Sequence, residues 1–161
     1  MVTEMVENSK ILICINNPIS AENAITYACL MAKKFGNVIE LLTIIDNSAN
    51  EYQSFFSIGK KISNDKRNDV ELWLKKLSED IYSKHKLHSV INIKEGKASD
   101  EIEKTIENNK NIKMLILPSS PESLSSGKFI PYLTEKILDK LHIPILIIPS
   151  SLTKTQISDL L

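Results

Sequence analysis

The stretch LPSSPESLSSGKFIPYLTEKI, residues 117–137, gathers side chains that could hold an anion. Ser119, Ser120, Ser123, Ser125, Ser126 and Lys128 carry hydrogen-bond donors, and Gly127 allows close approach to the backbone. The stretch follows an apolar run, MLIL, and leads into an amphipathic helix, where many α/β proteins place a glycine-rich phosphate loop. Three prolines, Pro118, Pro121 and Pro131, stand in this one. Proline has no N–H and fixes φ near about −65°, so each withdraws a donor from a cradle that works by presenting backbone amides.

Other residues capable of chemistry are scattered. Asn16, directly after the apolar run KILICI, could hydrogen-bond a ribose or a base, or could simply close that run in a turn ahead of Pro18. His85 and His88 straddle a helix-to-strand junction with no Cys, Asp or Glu nearby to complete a ligand set, so no metal is expected. His142, ahead of Pro144, suits a helix C-terminus with free carbonyls. None of the serines has a glycine-elbow context, which gives no support to nucleophilic catalysis. Trp73, at helical spacing with Leu77, reads as a core or dimer-edge residue. Cys14 and Cys29 lie inside a strand and a helix without a close pair, which fits packing in a reduced compartment.

The elements that must position these residues follow from periodicity. KILICI (10–15), VIELLTII (38–45), IKMLIL (112–117) and IPILII (143–148) are short apolar runs of the kind buried on both faces of a sheet, and HSVINIK (88–94) is an alternating strand ending at Gly96. Ser20 offers an N-cap for a helix carrying Ile25, Ala28, Met31 or Ala32, and Phe35 on one face, stopped by Gly36. A second helix covers 65–84 through Val70, Trp73 or Leu74, Leu77 and Ile81; a third, capped by Ser99, covers 100–108. A fourth covers about 132–141, with Leu133, Ile137, Leu138 and Leu141 on one face. The segment from Asn47 to Asp65 holds turn formers and no sustained period, and is expected to be the most mobile internal part, with Tyr52, Phe55 and Phe56 docking onto the sheet end. The tail 150–161 forms one short amphipathic turn or frays.

Strands alternating with helices imply an α/β fold: a doubly wound, five-stranded parallel sheet with helices on both faces. Its single domain spans 10–149, between an N-terminal extension, 1–9, and the tail. Ligands in such sheets bind beyond the carboxyl ends of the strands where the strand order reverses, which directs attention to Asn16-Asn17-Pro18 and to the 118–131 segment. Twenty basic and twenty acidic side chains balance, so the chain lacks the overall field that gathers nucleic acid or an anionic membrane. The basic run GKKISNDKR is interrupted by Asp65 and reads as a solvated loop. No signal peptide or run of membrane-spanning length is seen, and a cytoplasmic location is expected.

The sequence resembles the universal stress proteins over nearly its whole length. The likeness is carried by KILICI, by the helix ENAITYACLMAKKFG, by a second strand closing in IID, by KEGKASDEI, and above all by TEKILDKLHIPILIIP, a Thr-Glu-Lys helix joined to a Pro-flanked final strand. The resemblance implies the fold just derived and a homodimer through the last strand, Ile145, Leu146, Ile147 and Ile148. Many members of that family bind ATP with an aspartate after strand 1 and a loop G-x-x-G, nine residues, then G followed by Ser or Thr. Laid over that pattern, Pro118, Pro121 and Pro131 fall on the three glycines, Tyr132 on the hydroxyl residue and Asn16 on the aspartate.

Every signature position departs, so the expectation is a non-enzymatic, dimeric stress-response protein of the type that does not bind ATP and works through contacts with other stress-response proteins. The alternative is a nucleotide sensor that holds ATP with Asn16, Gly96, Ser119, Ser120, Ser125, Ser126, Gly127 and Lys128. A third class, a nucleotidyl transferase, would need an anion-binding His or Lys motif after strand 1 or strand 4, and neither place has one.

Overall fold

The computed structural model describes residues 8–46, 64–119 and 129–161. The expectations for the 47–63 segment with Tyr52, Phe55 and Phe56, and for Ser120, Pro121, Ser123, Ser125, Ser126, Gly127 and Lys128, lie outside the described residues.

Five strands, β1 (Lys10–Cys14), β2 (Val38–Ile45), β3 (Ser89–Glu95), β4 (Ile112–Pro118) and β5 (Ile145–Ile148), form one sheet in the order β3-β2-β1-β4-β5. Every pairing is parallel. The helices among the described residues are α1 (Glu22–Phe35), α2 (Asn64–His85), α3 (Ala98–Asn108), α4 (Phe129–Ile137) and α5 (Lys154–Asp159).

Side-chain alternation along the strands divides the core in two. Ile11, Ile13, Ile39, Leu41 and Ile45 meet α1 and α2 through Ala24, Ala28, Val70, Leu74 and Ile81. Leu12, Cys14, Leu42, Ile44, Leu115 and Leu117 meet α3 and α4 through Ile102, Ile106, Leu133 and Ile137. Both faces of the central strands are therefore dry, which is why they read as unbroken apolar runs. Each fully buried Ile or Leu contributes about 1.5–3 kcal/mol relative to exposure.

Several boundaries move for local reasons. Ser20 is not the N-cap of α1. Asn17 forms a turn, its Oδ1 accepting from Ile19 N at 2.9 Å, and Ser20 Oγ donates to the Asn17 carbonyl at 3.4 Å, so the helix starts after Ala21. Gly36 does end α1, in the left-handed conformation at φ 75°. Phe35 and Leu138, expected on buried faces, are exposed. Ser99 lies within α3, whose N-cap is Lys97. The helix α4 begins at Phe129, since Pro131 in its first turn has no intrahelical bond to lose, and it ends at Ile137. The last strand starts at Ile145, directly after Pro144, whose carbonyl still accepts from Leu115 N at 3.0 Å.

The tail folds into α5. Thr153 and Gln156 form a reciprocal capping box, and Ile157 is fully buried. Asn23 Nδ2 on α1 reaches the carbonyls of Pro149, Ser150 and Leu152 at 3.2, 2.9 and 2.8 Å, tying the turn before α5 to the body of the protein. Among the described residues no helix is long and apolar enough to cross a membrane.

Candidate functional site

The chain winds from β1 outward to β3, then crosses back to β4 on the other side of β1. Strand order reverses between β1 and β4, so their carboxyl ends open the crevice where such sheets bind ligands. Asn16 leaves β1 there and Ser119 leaves β4. Gly96 follows β3, two strands away from β1 in the sheet, its N–H donating to the Ile45 carbonyl at 3.0 Å. It adopts φ 145°, and a Cβ there would come within 3.0 Å of Glu101 Oε1, so a side chain would be both strained and crowded.

Asn16 is 4% exposed, and its Oδ1 is buried without a hydrogen-bond partner. A buried amide oxygen in that state costs about 1–3 kcal/mol, and it is the group at this crevice that most needs a donor. Next to it the Ile15 carbonyl accepts from Thr43 Oγ1 at 3.0 Å, and Asp46, at the end of β2, is buried.

The β4 side of the crevice is built differently. Pro118 is buried at the last pairing of β4, opposite Ile148, and Ser119 N donates to the Ile148 carbonyl at 2.9 Å. The amide of Ser119 is thus spent on the sheet. Pro131 is exposed in the first turn of α4, whereas Tyr132 is 4% exposed and packs in the α3–α4 core. The Tyr132 hydroxyl lies 3.4 Å from Ser99 Oγ.

Burial pushes the Cys14 thiol up to about 12, which withholds the thiolate that nucleophilic chemistry requires. At the far end of the α1–α2 layer, burial and the charges of Lys33 and Lys84 hold His85 below the usual imidazole value, and His88 stacks on Tyr82 with ring centroids 4.9 Å apart.

A model of the universal stress protein family matches residues 7–149. The chain belongs to that family. No curated protein matches it. Solved universal stress proteins share the fold: UspA from Lactobacillus plantarum, 15% identical, superposes with a TM-score of 0.66 over 87% of this chain and 97% of its own. An Archaeoglobus fulgidus universal stress protein in complex with dAMP, 10% identical, reaches 0.62 over 89% and 98%. A universal stress protein in complex with cAMP, 11% identical, reaches 0.59 over 89% of this chain and 98% of its own. Within this universal stress protein, sequence reasoning singled out Asn16, Gly96, Pro118 and Tyr132. It missed Asp46 and Glu40, polar residues in or beside β2 that end up buried. Their signal was available as charges interrupting or closing VIELLTII.

Proposed function

We propose that this chain is a universal stress protein of the non-ATP-binding type, a non-enzymatic homodimer that acts through protein contacts. The observation that carries the reading is the burial of Tyr132. In the family pattern that position offers a small hydroxyl to phosphate; here a phenol ring fills the α3–α4 core and directs its hydroxyl to Ser99. Pro118, at the first glycine of the pattern, brings no N–H, and the next amide is already bonded to β5. These groups do not fit a triphosphate. Mass spectrometry of small molecules released by denaturing the purified protein tests the reading: no nucleotide is expected, and a stoichiometric nucleotide would overturn it.

The dimer reading is supported by the edge of the sheet. Ser119 N and Leu115 N donate to the carbonyls of Ile148 and Pro144, so by alternation Ile145 and Ile147 direct their backbone groups away from β4. An apolar edge with outward amides and a 41% exposed Ile147 suits pairing with a second copy.

One observation favours a second reading, nucleotide sensing. The unpartnered Asn16 Oδ1 is suited to a donor from a base or ribose, and the dAMP and cAMP complexes belong to proteins of this fold. On that reading a nucleoside binds through Asn16 without a phosphate cradle, and the same mass spectrometry would find it.

A further inference from the structure

We propose that the recess between β2, β3 and α3 is a binding site for a small zwitterion of the amino-acid type, separate from the crevice at the carboxyl ends of β1 and β4. Its floor is Glu40, placed in mid-sheet between Leu12 of β1 and Val90 of β3. The next β2 side chains on that face, Leu42 and Ile44, are core. Glu40 is 5% exposed, and a carboxylate so deep is tolerated only when its oxygens are well partnered.

Its partners are few. Lys10 Nζ donates to Oε1 at 3.2 Å, while Oε2 has one long contact, Asn92 Nδ2 at 3.4 Å. A carboxylate accepts at about four positions, so the side of Glu40 facing the recess retains capacity for a strong donor. α3 buries its apolar face, Ile102 and Ile106, in the same core as Leu42 and Ile44 of β2, and a cavity of about 280 Å³ remains between Glu40, β3 and the polar side of α3.

Around Glu40 the lining carries two ammonium groups, Lys94 and Lys104, and one further carboxylate, Glu101. Lys94, exposed on β3, forms no ion pair among the described residues, and Lys104 across the recess makes only a 3.5 Å contact with Glu101. Asn92, Asn108 and Asn109 add amides between floor and rim. An anion deep in the recess and the ammonium groups of Lys94 and Lys104 at its mouth are complementary to a ligand with an ammonium at one end and a carboxylate at the other. The volume falls just below the range of about 300–1,000 Å³ that takes drug-sized molecules, which suits a smaller one.

The test is calorimetry of the full chain with L-serine and with L-glutamine, alongside the N-acetyl and methyl-ester forms of each. At least one free amino acid is expected to bind saturably with one site per chain, and both blocked forms of it to bind about tenfold more weakly or worse, since each loses a charge-assisted contact. Lys94→Ala, a surface change that leaves the core intact, is expected to weaken binding similarly, and Glu40→Gln more. Absence of binding by both free amino acids, equal binding of blocked and free forms, or an unchanged affinity in Lys94→Ala would each overturn the proposal.

Discussion

The Tyr132 hydroxyl lies 3.4 Å from Ser99 Oγ, with both side chains buried, so the first turns of α3 and α4 meet through a polar contact inside an apolar layer. The family's phosphate loop would end at this point. In this chain a tyrosine ring stands at that place, packed with Ile102, Leu133 and their neighbours.

Tyr132→Ser should therefore destabilise the fold by about 3–5 kcal/mol, the usual cost of removing a buried aromatic ring. Tyr132→Phe, which removes only the hydroxyl, should cost about 1 kcal/mol. Urea denaturation of the two variants separates ring from hydroxyl. Equal stability of Tyr132→Ser and the unmodified protein would mean that the ring does not pack as described.

Burial raises both thiols from 9.0 to about 12, with the charge of Lys33 opposing the shift at Cys29. In the unfolded chain the thiols lose their protons near pH 9, while the folded chain retains them to about 12. Between those values the unfolded state binds fewer protons, so stability is complete below pH 9 and falls as pH rises through the window. For Cys14 the slope approaches about 1.4 kcal/mol per pH unit. Denaturation between pH 8 and 10.5 should show a steeper loss for the unmodified protein than for Cys14→Ala/Cys29→Ala; matching slopes would contradict the assignment.

Asn23 shares two N–H hydrogens among three carbonyls that lead into α5. Asn23→Ala should lower stability by about 1–3 kcal/mol, since it strips donors from partly buried carbonyls. Amide exchange should accelerate in α5. Exchange unchanged in α5 would show that its buried Ile157 holds it without the latch.

The fold was legible because its strands are buried on both faces, and runs such as IKMLIL and IPILII leave little room for another reading. Helix starts were less legible. Ser20 and Ser99 have the right chemistry for caps, but Asn17 takes up the turn before α1, and Ser99 is drawn into the core by Tyr132, a contact set by the packing of α3 on α4. The departures from the family pattern at Pro118 and Tyr132 were readable from residue type alone. The unpartnered oxygen of Asn16 and the buried carboxylate of Glu40 were not, because both depend on what neighbouring strands place around them.

If β5 is the dimer edge, Ile147→Pro removes an outward N–H while leaving the β4–β5 ladder its donors. Light scattering at micromolar concentration should then show a dimer for the unmodified protein and a shift toward monomer for the variant, with helix content retained. A monomer in the unmodified protein would refute the proposed assembly.

On the proposed reading the phosphate cradle is lost. A neutral hydrogen bond contributes about 1 kcal/mol and one to a charged group about 1.5–3, so losing three amide contacts weakens phosphate binding by more than about a thousandfold. Calorimetry with Mg-ATP on the unmodified protein measures this directly. No binding tighter than the high micromolar range is expected; a low-micromolar dissociation constant would mean that the cradle is retained.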